Sequence, residues 1–144
     1  MELVKIANPY IYTSVFIGMP NFWRVVNDVI ADADVILLVL DARLVEQTRN
    51  EEVEWKVKKS EKPIIYVLTK CDLVNKDDAE KYKSILKPCV FISSKDYHGL
   101  TKLRERILIE GKRHHERRQY KVGVLGYPNV GKSSLINAMS GRHA

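Results

Sequence analysis

Cysteine is nearly absent from this chain of 144 residues, which holds two. Cys71 and Cys89 have no C-x-x-C spacing and no histidine partner at a metal-binding interval, so they read as two reduced thiols in a cytoplasmic protein. Long hydrophobic runs are lacking too. The longest runs from Val35 to Leu40, far too short to cross a bilayer, so no membrane partner is expected. The first twenty residues lack a basic start and a small-residue cleavage site, and no signal peptide is read there. Internal repeats, low-complexity tracts and a clear domain linker are missing as well. With 29% charged and 45% hydrophobic residues, the composition fits one soluble globular domain. A chain of this length buries about two thirds of its unfolded surface.

Charge is present and unbalanced. A net charge of +6 and a pI near 9.3 make nucleic acid a plausible partner. The densest cluster is Lys112-Arg113-His114-His115-Glu116-Arg117-Arg118. Two readings stay open for it. One is a solvated helix end whose cations complement the dipole; the other is an RNA-contacting surface.

Short apolar runs rich in valine and isoleucine recur at residues 34–41 (DVILLVLD), 63–69 (PIIYVLT), 89–93 (CVFIS) and 120–125 (YKVGVL). Runs without strict alternation suit strands covered on both faces. Between them lie helical patterns. Residues 22–31 follow Asn21, a good N-cap, and place Trp23, Val26 and Ile30 on one side. Residues 51–59 set Val53 and Val57 against charges, residues 77–86 carry Ala79, Tyr82, Ile85 and Leu86, and residues 100–109 carry Leu100, Leu103 and Ile107. Strands alternating with helices of this length predict right-handed crossovers and an α/β fold with a mainly parallel sheet flanked by helices. Residues 1–20 are read as an N-terminal extension in which 11–17 form a strand-like arm or a packed addition; the domain proper is 21–144.

Gly126-Tyr127-Pro128-Asn129-Val130-Gly131-Lys132-Ser133 is a full G-x-x-x-x-G-K-[ST] phosphate-binding loop, with Ser134 next in line. It follows a predicted strand and opens a predicted helix over residues 133–140, the context it requires. Gly126 permits the sharp exit from the strand, and Gly131 lets main-chain N–H groups approach phosphates. The helix N-terminus adds partial positive charge. Lys132 is the catalytic candidate, reaching β- and γ-phosphates, and the Ser133 hydroxyl is the candidate Mg²⁺ ligand.

Thr69-Lys70-Cys71-Asp72 ends another predicted strand and matches the [NT]-K-x-D signal that reads a guanine base. The Asp72 carboxylate can accept from the ring N–H and exocyclic amine of guanine; adenine would leave it unpaired. The Lys70 stem can lie along the base plane. Ser93-Ser94-Lys95 closes the following strand and matches the [ST]-[AS]-K helper, whose main-chain N–H contacts the guanine oxygen. Thr69 stands where asparagine is commoner, and a hydroxyl can still tie the loop. Asp96-Tyr97-His98-Gly99 spells D-x-x-G but opens a helix, so Asp96 is read as an N-cap. His98, His114, His115 and His143 are scattered and are read as surface residues.

The order is unusual, because the base reader precedes the phosphate loop. A nucleotide pocket is a spatial object whose parts can come in any chain order if the cut falls in a surface loop. With these three motifs in this order, and with Phe22-Trp23-Arg24 and Asp41-Ala42-Arg43 ahead of them, the chain resembles the circularly permuted GTPases associated with ribosome assembly. It departs from that pattern at Leu44-Val45, where Asp-Pro is usual. The resemblance implies a P-loop NTPase-like fold, GTP and GDP as ligands, Mg²⁺, and K⁺ held by Asn129. It further implies slow GTP hydrolysis coupled to ribosomal RNA or a ribosomal subunit, in the cytoplasm.

The same resemblance places a switch threonine and a strand-terminal D-x-x-G after Ser133, and neither occurs before Ala144. The expectation is therefore a permuted domain lacking its switch segments and two strands. Residues 120–125 would then be an edge strand of a four-stranded sheet, open to self-association. Two other readings remain: an RNA- or ribosome-binding module with a vestigial nucleotide site, and an ATP-dependent phosphotransferase, which Asp72 and Ser93-Ser94-Lys95 argue against.

Overall fold

The computed structural model describes residues 10–16 (main chain only), 20–93, 99–114, 119–127 and 130–139. In chain order the elements are β1 (Tyr10–Phe16), α1 (Phe22–Asp32), β2 (Val35–Asp41), α2 (Val45–Thr48), α3 (Glu51–Lys59) and β3 (Ile64–Thr69). A 3-10 turn at Cys71–Leu73 follows, then α4 (Lys76–Glu80), α5 (Tyr82–Ile85), β4 (Cys89–Phe91), α6 (Leu100–His114), β5 (Tyr120–Gly126) and α7 (Lys132–Met139). The strands form one sheet in the order β1-β5-β2-β3-β4, with every neighbouring pair parallel.

Alternation along the strands divides the core into two layers. On β2, Val35, Leu37 and Val39 join Leu103 and Ile107 of α6 and Leu135 and Met139 of α7. Ile36, Leu38 and Leu40 face the other way, onto Val26, Val29 and Ile30 of α1 and Val53 and Val57 of α3. Every residue of β2 is buried, which is why its sequence reads as a continuous apolar run rather than an alternating one. Gly123 on β5 lets α1 come close: a Cβ there would stand 2.6 Å from Cγ1 of Val29.

One expectation is overturned at the sheet's edge. β5 is not an edge strand, because β1 pairs along its whole length, from Tyr10 opposite Tyr120 to Phe16 opposite Gly126. The sheet thus has five strands, and the main-chain groups that would have invited self-association are hydrogen-bonded within the chain. Residues 10–16 take up the strand-like reading of 11–17 and belong to the sheet.

Smaller departures follow local physics. Asn21 adopts a left-handed conformation and makes no side-chain cap bond, and Val29 rather than the partly exposed Trp23 completes the buried face of α1. The helix expected over 77–86 breaks at Lys81 into α4 and α5, leaving Ile85 exposed. Among the described residues no helix is long and apolar enough to cross a membrane.

Candidate functional site

Strands β2, β3 and β4 run outward to one side of β5, and β1 lies on the other side. The direction of strand order therefore reverses beside β5, and a crevice forms at the C-terminal ends of strands at such a point. The sequence motifs fall there. Asp41 ends β2, Thr69 ends β3 and Gly126 ends β5.

The phosphate loop leaves β5 at Gly126, where a Cβ would stand 2.9 Å from the carbonyl oxygen of Val39. Val130 is buried, and Gly131 has a φ of +96°, a conformation that suits only glycine well. Lys132 opens α7 with 8% of its surface exposed, and its ammonium lies 3.4 Å from the carbonyl oxygen of Gly126. Burial lowers the Lys132 pKa. Ser133 and Ser134 are exposed on the first turn of α7. Pro128 and Asn129 lie outside the described residues, as do Ser94 and Lys95 of the helper motif and Asp96 and His98.

Thr69, 3% exposed, joins the base side to the phosphate side. Its Oγ1 is within hydrogen-bonding reach of the Val130 carbonyl and lies 3.1 Å from the Leu40 carbonyl. One hydroxyl therefore links the ends of β2 and β3 to the loop that precedes α7. A Cβ on Gly131 would lie 3.6 Å from Cγ2 of the same threonine, so there is room at this point for no more than a methyl group.

Lys70 turns the chain sharply after β3. Its φ of 60° is left-handed, unusual for a residue with a side chain. The turn is closed by the Leu73 N–H donating to the Lys70 carbonyl (3.0 Å) and the Cys71 N–H donating to the Ile92 carbonyl (3.2 Å). These bonds bring the 3-10 turn of Cys71 and Asp72 against the end of β4, where Ser93 is buried. Asp72 is exposed, as a carboxylate that must meet a ligand has to be.

Asp41 is a site residue whose role the motif spacing did not reveal. Only 3% exposed, it accepts from the Arg43 main-chain N–H (2.9 Å), from Arg43 Nε (3.1 Å) and Nη2 (2.8 Å), and from Lys70 Nζ (3.1 Å). The Arg43 guanidinium first, and then Lys70, hold its carboxyl at about 2, well below the usual carboxylate range, against the opposing effect of burial. The Thr48 hydroxyl accepts from the Asp41 N–H at 3.1 Å. The result is a fixed anion that anchors the Lys70 ammonium and directs its stem along the base side. The signal was present as Asp41-Ala42-Arg43, but a short acidic-basic pair at a strand end is too common to identify alone.

A strand, a glycine-bearing turn and a helix at a topological switch, following the base-side motif in the chain, define a P-loop nucleotide-binding fold in permuted order. Comparison with known proteins agrees. The family model described as "50S ribosome-binding GTPase" matches residues 121–144. A second, described as "Ethanolamine utilisation - propanediol utilisation", matches residues 4–108, a stretch that includes the base side but not the phosphate loop. An uncharacterized GTP-binding protein of Methanocaldococcus jannaschii is 50% identical over 120 residues, covering 83% of this chain and 32% of that protein. Nucleolar GTP-binding protein 2 of Saccharomyces cerevisiae is 39% identical over 126 residues, covering 83% of this chain and 26% of its own length. Among solved structures, GNP-bound YlqF from T. maritima aligns with a TM-score of 0.65 at 22% identity, covering 87% of this chain and 50% of that one. The chain is similar to these GTP-binding proteins, and it carries its base-side motif ahead of its phosphate loop. It spans about a third or less of the length of these curated relatives.

Proposed function

We propose that this chain binds GDP and GTP in the crevice at the ends of β2, β3 and β5 and serves a GTPase that acts in ribosome assembly. The observation that carries the reading is the Thr69 hydroxyl against the Val130 carbonyl, which ties the base-side motif to the phosphate loop. Asp72 would accept from guanine, and Lys70, anchored on Asp41, would lie along the base. Cys71 lies between them on the same turn. Ser93, Ser94 and Lys95 would supply the main-chain contact to the guanine oxygen. The main chain from Gly126 to Gly131, Pro128, Asn129 and Val130 included, would cradle the phosphates.

Lys132 is suited to the β- and γ-phosphates. Its ammonium is partly desolvated at a helix start, so a phosphate would restore the favourable surroundings that burial removes. Ser133 fits a Mg²⁺ ligand, being an exposed hydroxyl on the first turn of α7 beside that lysine, and Ser134 extends the same turn. Mg²⁺ supplies charge neutralisation at the phosphates when bound. Asn129 is the proposed K⁺ ligand, by family resemblance alone. Hydrolysis is proposed on the same ground. Several relatives carry the words nucleolar or nuclear in their names, which supports a ribosome-related role. The cytoplasm is proposed as the compartment by family resemblance alone.

Calorimetric titration of GDP, ADP and XDP against the native chain and Asp72→Asn tests the reading. The native chain should prefer GDP, and the variant should lose GDP and gain XDP, because exchanging the carboxylate for an amide turns one of its two acceptors into a donor. Equal affinity of the native chain for ADP and GDP would show that Asp72 does not read the base. Phosphate release from GTP, with and without K⁺, measures what hydrolysis these residues sustain.

A further inference from the structure

The N-terminal ends of the strands, at the opposite end of the sheet from the crevice, carry a feature that the nucleotide site does not use. An open groove of about 450 Å³ lies there, with Ile64 and Pro88 among its lining residues where β3 and β4 begin. α3 and α6 cover opposite faces of the sheet, so the groove has a wall from each. Lys58 and Lys62 line it from the α3 side, Lys87 from the entry to β4, and Arg106 and Arg113 from α6.

Two carboxylates, Glu61 and Glu110, oppose these five cations, and Glu110 is already engaged. It is 6% exposed, and its Oε1 accepts from Arg106 Nη2 at 2.8 Å and from Arg113 Nη1 at 3.4 Å. A nearly buried acid thus holds two guanidinium groups side by side, with part of each still exposed. Fixing an arginine before its ligand arrives reduces the side-chain entropy that binding would otherwise cost. Lys62 is positioned as well, donating to the Ala33 carbonyl at 2.8 Å. Lys58 and Lys87 are exposed.

We propose that this groove binds the phosphodiester backbone of a single RNA strand. Cations on two walls suit a chain of phosphates lying between them, and planar guanidinium groups suit phosphate oxygens in particular. A single strand can lay successive phosphates against both walls, whereas a lipid surface would meet mainly the rim. The contacts would be to phosphate and not to bases, so the groove would fix position and register without choosing sequence. The assignment deepens the proposed ribosomal role, and rests on it only for the choice of RNA among polyanions.

A labelled single-stranded 20-nucleotide RNA is titrated against the native chain at several salt concentrations by fluorescence anisotropy. The comparison is with Lys58→Gln/Lys87→Gln/Arg113→Gln, and with a charge-matched control, Lys76→Gln/Lys81→Gln/Lys83→Gln, on α4 and α5. The groove variant should bind at least tenfold more weakly at low salt, and the slope of log K against log salt should fall by about 2, at roughly 0.7 per lost contact. The control should change neither value appreciably. Equal loss in both variants, or no RNA binding by the native chain, would overturn the proposal. So would tighter groove-dependent binding of poly-glutamate or phosphatidylserine vesicles. Circular dichroism and a GDP titration check folding, and Lys87→Glu alone, at an exposed position, repeats the test with minimal disturbance. Groove-dependent RNA binding without GDP binding would sink the nucleotide reading and leave this one standing; GDP binding without groove dependence would do the reverse.

Discussion

The hydroxyl of Thr69 lies against the main-chain carbonyl of Val130, joining two motifs 61 residues apart in the sequence. In the permuted order the base side precedes the phosphate loop, so this contact closes the crevice between distant segments. Its burial makes it costly to lose. Thr69→Ala would leave the Val130 carbonyl without this donor at a buried position, which costs about 1–3 kcal/mol. Chemical denaturation should report that loss of stability. GDP affinity should fall with it, since the loop is no longer held. Thr69→Asn, with the commoner side chain and a donor of its own, should keep more of both. If Thr69→Ala matches the native chain in stability and in GDP affinity, the hydroxyl is not what holds the loop.

Lys132 yields a prediction with opposite signs in the presence and absence of ligand. Its ammonium is largely buried, and burial disfavours the charged form. Lys132→Met keeps the volume and removes the charge, so it should raise the melting temperature of the ligand-free protein by a few degrees. The native chain should gain about 2.7 kcal/mol of stability at a GDP concentration one hundred times its dissociation constant. The methionine variant should gain almost none. Thermal melts with and without GDP measure both effects. A lower melting temperature for the ligand-free variant would mean that the lysine stabilises the empty loop.

The motifs were legible because they are local: a phosphate loop needs its glycines, Lys132 and Ser133 within one turn, and the strand and helix around it follow from chain direction. Four of the strands were readable as short apolar runs, and β2, β3 and β5 are such runs because they are covered on both faces. What the sequence did not disclose was long-range. Nothing in Tyr10–Phe16 marks β5 as its partner, because strand pairing is set by main-chain groups that every residue carries. Asp41 was inconspicuous for the same reason. Its importance comes from Lys70, 29 residues on, reaching back to it. The helix break at Lys81 was missed because Ala79, Tyr82 and Ile85 keep helical spacing although Ile85 faces solvent.

Gly123 sets how closely α1 approaches the sheet. A Cβ at this position would stand 2.6 Å from Val29 Cγ1 and 3.1 Å from Ile36 Cδ1, both side chains of the packed core. Gly123→Ala therefore forces α1 or β5 to move, and overpacking of this kind typically costs about 1–3 kcal/mol. Val29→Ala made together with it should recover part of that loss, since it removes the nearer methyl. Urea denaturation of the two single variants and the double variant gives the coupling directly. Strict additivity would show that the two residues do not compete for the same space.

Asp41 makes stability depend on acid in a definite window. Its folded pKa is about 2, below the 3.8 of an ordinary aspartate, so the ionised form is favoured by folding. A depressed carboxylate contributes stability that is fully present above its unfolded pKa and is lost as pH falls through the folded one. The contribution should thus be intact at pH 5 and above, and should decline between about pH 4 and pH 2. The shift corresponds to about 2 kcal/mol. Asp41→Asn should cost a similar amount at pH 7, and its stability should decline less steeply than that of the native chain below pH 4. Losing the anion also frees the Lys70 ammonium from its 3.1 Å contact, so the variant should discriminate less between GDP and ADP. Denaturant midpoints from pH 2 to pH 7 decide the first point and nucleotide titration at pH 7 the second. Parallel acid limbs for the native chain and Asp41→Asn would mean that other carboxylates govern acid unfolding and that Asp41 is not the anchor described here.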